Sequence, residues 1–220
     1  DPVTELTRFR AGDLDVTYTV PPGEVARLER ELPGQLRIGP HVGVYYYGLA
    51  LDQPPFKDSP KLRQALAMAI DRDAILKEVY QGAGQKAKNP IPPTMWSYDE
   101  STVDIPFDPA KAKEMLAAAG VTTLDTDIWW MPVQRPYNPN AKRMAEMVQA
   151  DLAKVGINAT LVSYEWGEYR KRMQAGEHQM GFLGWTGDNG DPDNFLAVLL
   201  GCDKTGKPNA NNIPKWCNDK

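Results

Sequence analysis

An arginine in a proline-rich segment is the side chain best suited to bind a small charged molecule. Arg135 stands in the segment Trp129–Asn140 (WWMPVQRPYNPN), in which three prolines restrict the backbone. A guanidinium binds a carboxylate through two parallel hydrogen bonds, which a lysine cannot reproduce. An ordinary surface arginine is the simpler interpretation of this residue when it is taken alone.

An aspartate in a second segment would supply the opposite charge. Asp188 lies in the glycine-rich segment Gly184–Phe195 (GWTGDNGDPDNF). A fixed cation and a fixed anion together complement a short zwitterionic peptide, whose two ends carry opposite charges. Aspartate beside glycine is also common in turns, so this residue alone does not identify a binding site.

Aromatic side chains accompany both charges. Tyr137 follows Arg135 closely, Trp185 comes shortly before Asp188, and Trp166 lies between the two segments. These three rings are candidates for the walls of a binding cleft. Packing in a hydrophobic core is the commoner role of such residues, and the sequence leaves both roles open.

Other chemistries find little support in the sequence. An EF-hand needs oxygen ligands at alternate positions, but a loop counted from Asp188 has Gly190 third and Pro192 fifth. No G-x-S-x-G or H-E-x-x-H motif is present, and His41 and His178 stand apart from each other. We therefore expect no metal, no cofactor and no catalytic residue. A hydrolase that uses acidic residues of a cleft is the rival from a different functional class.

Composition limits the classes of partner. The chain has 220 residues, a net charge of −4 and an isoelectric point near 5.3, which argues against a nucleic-acid-binding surface. The least polar stretch, Val42–Leu51, is too short for the roughly 20 residues of a membrane span. The first residues, Asp1 and Pro2, are not a natural translation start, so we expect a processed or truncated product.

The two cysteines flank a polar loop near the end of the chain. Cys202 and Cys217 are too far apart for a C-x-x-C redox pair. A disulfide between them is favoured over two unpaired core thiols, and it would contribute about 3 kcal/mol by closing a loop of this length. Such a bond favours an oxidising compartment.

Alternating strand and helix signals predict an α/β fold. Helix starts are predicted after the N-cap candidates Ser59, Asp71 and Asp108 and at Asn140 or Pro139, and another helix is predicted in the segment WGEYRKRMQ. Predicted strands are a short one from Leu14 to the following prolines, Gln35–Tyr47, Asp127–Met131, Ile157–Ser163 and Gln179–Trp185. Both charged segments follow predicted strands, which is where open α/β sheets usually bind ligands.

Several of these motifs resemble one protein family. The segments NPIPPTMWSY (Asn89–Tyr98), YEWGEY and GWTGDNGDPDNF are similar to the extracytoplasmic solute-binding proteins of the peptide and nickel ABC-transporter family, and most similar to its dipeptide-binding members. The earlier segment QPPFKDSPKLRQAL is closer to the oligopeptide-binding branch. The resemblance implies a periplasmic-binding-protein type II-like lobe with a mixed β-sheet flanked by helices. It also implies that the chain is incomplete relative to the two-lobed family, with residues 1–45 as a remnant of the first lobe and hinge strand. Residues 46–220 are then the second lobe with its disulfide loop.

The resemblance also implies a function and a role for each candidate residue. Arg135 would bind the ligand carboxylate and Asp188 its amino group, with Tyr137, Trp166 and Trp185 as cleft walls. The implied function is periplasmic capture of short peptides, dipeptides above all, by a monomer that delivers them to an inner-membrane ABC permease. Three alternatives stay open: a same-fold binder of haem, nickel or oligosaccharide, an engineered or proteolytic lobe without its own ligand function, and the hydrolase.

Overall fold

A single four-stranded sheet organises the chain. The computed structural model describes residues 1–21, 23–203 and 206–218. The strands are β1 (Gly43–Leu49), β2 (Leu124–Trp129), β3 (Ile157–Val162) and β4 (Met180–Thr186), in the spatial order β1-β4-β2-β3. Strand β2 pairs in parallel with both β3 and β4, whereas β1 is antiparallel to β4. The carboxyl ends of β2, β3 and β4 therefore meet at one edge of the sheet, which we call the carboxyl edge.

The helix starts predicted at Ser59, Asp71, Asp108 and near Asn140 are confirmed, whereas the first two helices and the last one below were not predicted. The helices are α1 (Pro2–Arg10), α2 (Val25–Glu31), α3 (Pro60–Ala69), α4 (Arg72–Glu78), α5 (Pro109–Ala118), α6 (Ala141–Lys154), α7 (Trp166–Ala175) and α8 (Asp193–Leu200). The side chains of Asp71, Asp108 and Asn140 accept hydrogen bonds from the first turns of α4, α5 and α6. These caps satisfy backbone N–H groups that a helix start otherwise leaves unpaired.

The two faces of the sheet pack against different helices. Ile128 lies in a core with residues of α3, α5 and α6, whereas its neighbour Trp129 packs with Tyr169 and Met173 of α7. Successive side chains of a strand point to opposite faces, which explains this division. The predicted α/β lobe with a mixed sheet between helices is confirmed.

The predicted strand after Leu14 is wrong. The stretch from Leu14 to Val20 is irregular, and Val16 and Tyr18 in it are each 79% exposed. Alternating apolar residues form a strand only when a neighbouring strand supplies hydrogen bonds, and this stretch pairs with none of the described strands. The strand predicted from Gln35 begins only at Gly43. It pairs with β4 from Gly43 to Leu49, and this paired stretch includes residue 45.

Cys202 and Cys217 form the predicted disulfide. The loop between them is also held by the lobe, because Ile213 is buried against the α7 side of the sheet and Pro214 O accepts a hydrogen bond from Leu51 N–H. The amide of buried Asn212 donates to the carbonyl oxygens of Gly201 and Trp216. The disulfide therefore closes a loop that apolar packing and hydrogen bonds also hold in place.

Replacing both cysteines by serine is expected to lower the free energy of unfolding by about 3 kcal/mol, because the unfolded chain regains the entropy of an open loop. Denaturant unfolding of both proteins measures the difference. Thiol titration of the denatured, unreduced wild-type chain is expected to detect no free thiol. Two reactive thiols in freshly purified protein would contradict the bridge.

His178 is a second group with a measurable effect on stability. Its side chain is fully buried, with its ring edge-on to Trp129 at 6.2 Å between centroids. Burial lowers the pKa of His178 from 6.5 to about 4, which the nearby charge of Asp127 only partly opposes. The folded protein therefore keeps this imidazole neutral at pH values where the unfolded chain binds a proton.

Stability is expected to fall as the pH drops from 6.5 towards 4. Each unit of pKa difference corresponds to about 1.4 kcal/mol, so the contribution of His178 to this loss approaches about 3 kcal/mol near pH 4. Urea unfolding of the wild type and of His178→Gln between pH 7.5 and 4 separates this contribution from that of the carboxylates. Parallel pH profiles for the two proteins would contradict the assignment.

Candidate functional site

Every candidate binding residue from the sequence lies near the end of a strand, or after it, at the carboxyl edge. Arg135 and Tyr137 follow β2, Trp166 follows β3 at the start of α7, and Asp188 follows β4, which contains Trp185 near its end. Parallel pairing of β2 with β3 and β4 brings these three chain segments to one side of the molecule. The tertiary structure thus gathers residues that are 53 positions apart in sequence, from Arg135 to Asp188.

A tight turn holds Arg135. Its N–H donates to Asn138 O at 3.1 Å and its carbonyl oxygen accepts from Asn138 N–H at 2.8 Å, with Pro136 and Tyr137 between them. Asn138 is fully buried, and the Tyr80 hydroxyl donates to the carbonyl oxygen of Tyr137 at 2.8 Å. The backbone that carries the guanidinium is therefore fixed from both sides.

The guanidinium of Arg135 lies over an indole ring. Its Cζ is 4.9 Å from the ring centroid of Trp166, a cation–π contact, and Nη1 donates to Gln134 O at 3.1 Å. Among the residues that the structure describes, no carboxylate lies within 4.0 Å of it. A half-buried arginine without an acidic partner is suited to bind a carboxylate from outside the chain.

Tyr137 belongs to an aromatic stack on the sheet. Its ring lies 5.8 Å from that of Tyr45, which in turn lies 5.5 Å from Phe182, both stacked. Gly184 of β4 lies directly beneath Tyr137, and any side chain at that position would collide with the phenol ring. Burial raises the pKa of the Tyr137 hydroxyl, and the positive charge of Arg135 opposes that rise. The ring therefore lies between the core and the Arg135 charge.

One asparagine fixes the acidic half of the site. The Oδ1 atom of Asn194 accepts hydrogen bonds from Trp185 Nε1 and from the backbone N–H of Asp188, each at 3.0 Å. Its Nδ2 donates to Asp188 Oδ2 at 3.2 Å. Asn194 was not singled out from the sequence, and the helix α8 that carries it was not predicted there. No cation of the described residues comes within 4.0 Å of the exposed Asp188 carboxylate.

Replacing Asn194 by alanine is expected to loosen both Trp185 and Asp188. Its Oδ1 atom holds two donors, and a typical hydrogen bond contributes about 0.5–1.5 kcal/mol, so the free energy of unfolding should fall by about 1–3 kcal/mol. Denaturant unfolding measures the loss, and the NMR signal of the Trp185 indole N–H should move towards its position in water. Asn189→Ala, in the same loop, is the control and should leave that signal in place.

The structure separates the candidates into two groups around Tyr46. Trp166 packs around Tyr169 with the Arg135 turn, whereas Trp185 packs with Phe195 of α8, and Tyr46 contacts both sets. The hydroxyls of Tyr45 and Tyr46 are buried and have no hydrogen-bond partner in the described parts of the chain. A buried hydroxyl left unpaired costs about 1–3 kcal/mol, so a polar group arriving at this edge would relieve it.

At the candidate site, Asp188 is exposed and Arg135 is half-buried. Two shallow depressions lie elsewhere, one beside Gln149 and Asn158, the other beside the disulfide loop at Trp216. In the described ranges, no three His, Cys, Asp or Glu side chains converge as a metal site would require. No helix in those ranges combines the length and the hydropathy that crossing a bilayer demands.

The chain is similar to known binding proteins. A family model described as bacterial extracellular solute-binding proteins, family 5 Middle, matches residues 1–207. Di/tripeptide-binding protein 3 of Pseudomonas aeruginosa is 51% identical over 218 residues, which are 99% of this chain and 40% of that protein. Haem-binding protein A of Haemophilus influenzae is 46% identical over 210 residues, 95% of this chain and 38% of that protein.

A solved structure is similar over nearly the whole chain. The dipeptide-binding protein of Pseudoalteromonas sp. SM9913, determined in complex with Met-Leu, has a TM-score of 0.85 and 35% identity over 99% of this chain and 43% of that one. The chain therefore spans about 40% of the length of the curated relatives it matches.

Proposed function

The chain belongs to family 5 of the bacterial extracellular solute-binding proteins, and from that premise we propose that it captures short peptides, dipeptides above all. We further propose that residues 46–220 form the second lobe of a two-lobed protein, with residues 1–45 as a remnant of the first lobe and hinge strand. The ligand lies between the lobes in this proposal.

One observation carries the proposal. The guanidinium of Arg135, which has no acidic partner among the described residues, lies at the same sheet edge as the carboxylate of Asp188. Hydrogen bonds hold the backbone of Arg135 and both the backbone and the side chain of Asp188. Arg135 binds the α-carboxylate of the peptide and Asp188 its α-amino group. Two fixed charges select a ligand by the separation of its ends, and the aromatic rings of Tyr137, Trp166 and Trp185 contact the atoms between them.

The family is one of extracellular transport proteins that bind solutes, not of enzymes. The finer assignment is proposed here: a periplasmic monomer that delivers its peptide to the permease of an ABC importer. The disulfide between Cys202 and Cys217 supports an oxidising compartment.

Removing each end charge of one dipeptide tests the proposal. The two-lobed form is titrated by calorimetry with Met-Leu, N-acetyl-Met-Leu and Met-Leu amide. Each capped peptide is expected to bind at least about tenfold more weakly, because it leaves Asp188 or Arg135 buried without its partner. Equal binding of all three peptides would show that the end charges are not recognised.

Haem is the second candidate, since haem-binding protein A is 46% identical to this chain. Its propionate groups are carboxylates that Arg135 would also bind. A haem titration followed by visible absorbance, with Met-Leu as competitor, decides between the two ligands. Tight haem binding that Met-Leu does not displace would favour haem.

A further inference from the structure

A second arginine shares the indole ring beneath Arg135. Arg170 lies four residues after Trp166 in α7, so helix geometry brings the two side chains together. Its Cζ is 5.8 Å from the Trp166 ring centroid, against 4.9 Å for that of Arg135. The two guanidinium carbons are therefore no farther apart than the sum of these distances.

The charge of Arg170 is as free of acidic partners as that of Arg135. Its side chain is exposed, and none of the carboxylates in the described parts of the chain lies within 4.0 Å of it. Arg172, two residues later, contrasts with it. Arg172 forms ion pairs with Glu168 at 2.6 Å and with Glu177 at 3.2 Å. Carboxylates are therefore available to this helix, but none lies beside the position of Arg170.

Both unpaired cations act on the same phenol. Tyr137 is the common neighbour, and the charges of Arg135 and Arg170 each oppose the effect of burial on the pKa of its hydroxyl. Two like charges brought close without an anion repel each other. A ligand that offers two carboxylates at this point would relieve that repulsion.

We propose that Arg170 is a specificity-determining residue, which binds the side-chain carboxylate of a peptide ending in aspartate or glutamate while Arg135 binds the α-carboxylate. This inference rests on the proposed peptide-binding function. The two carboxylates of a C-terminal acidic residue are joined by a short carbon chain, so they can reach two guanidinium groups that share one indole ring.

The matched dipeptides Met-Glu and Met-Gln isolate the side-chain charge. Each is titrated into the 220-residue chain at millimolar concentrations, and binding is followed by the NMR signal of the Trp166 indole. Met-Glu is expected to bind about twofold to fivefold more tightly than Met-Gln, the range of an exposed charge pair. Arg170→Gln should abolish this preference. Arg172→Gln, which removes the same charge from the same helix, should retain it.

The outcomes separate this inference from the function on which it rests. A preference for Met-Glu that survives Arg170→Gln would overturn the role of Arg170, while dipeptide binding itself stands. Equal loss of the preference in Arg170→Gln and Arg172→Gln would also overturn it, since net charge alone would then explain the effect. If neither dipeptide moves the Trp166 signal of the chain alone, this inference fails, whereas the proposed function is decided separately by the calorimetry of the two-lobed form with the capped peptides.

Discussion

Replacing Arg135 by alanine is expected to weaken dipeptide binding by the two-lobed form by about 2–5 kcal/mol, because it leaves a desolvated ligand carboxylate without its partner. The free energy of unfolding should change far less. Folding loses the hydrogen bond from Nη1 to Gln134 O, which links neighbouring residues, and the contact with Trp166. A cation–π contact of this kind is worth about 0.5–1 kcal/mol at an exposed site. Calorimetry with Met-Leu and denaturant unfolding measure the two quantities.

Two further variants show what Arg135 contributes. Arg135→Lys keeps the charge but not the two parallel hydrogen bonds, so its affinity should lie between those of the wild type and Arg135→Ala. Arg172→Ala removes a guanidinium that already has acidic partners within the chain and should leave affinity unchanged. Unchanged affinity in Arg135→Ala would remove this residue from the site.

The 220-residue chain by itself is expected to bind dipeptides only weakly, with a dissociation constant of about a millimolar or higher. Asp188 is exposed and the guanidinium of Arg135 is only half-buried, so both remain hydrated when a peptide arrives. Exposed ion pairs contribute about 0–1 kcal/mol each, and immobilising a flexible peptide costs a comparable or larger amount.

A comparison of two forms of the protein tests this expectation. Met-Leu is titrated into the chain alone and into a form with the first lobe restored, at the same pH and salt concentration. Much tighter binding by the two-lobed form is expected, because in the proposed arrangement the first lobe would cover both charge pairs and exclude water from them. Equal and tight binding by both would show that the described lobe forms a complete site.

Local signals were sufficient for much of the fold. The helix starts at Asp71, Asp108 and Asn140 were predictable because a cap acts on N–H groups two or three residues away. The disulfide was predictable from the spacing of Cys202 and Cys217. The strand predicted after Leu14 was wrong for the opposite reason. A strand needs a hydrogen-bonded neighbouring strand, and its own residues do not specify one.

For the candidate site, the sequence by itself determined the kinds of residue and the strand ends that carry them. Arg135 and Asp188 are candidates because their segments combine a charge with aromatic and backbone-restricting residues over a few positions and because these segments resemble one protein family. Only the tertiary structure decided that Asn194 holds Trp185 and Asp188 together, that Gly184 makes room for Tyr137, and that Arg170 and Arg135 both lie against the Trp166 ring. The Gly184 and Trp166 contacts join segments that become neighbours only when the parallel strands pair, and the Asn194 contacts depend on how the loop between β4 and α8 folds back. Distances of that kind follow from the packed sheet and not from the spacing of residues along the chain.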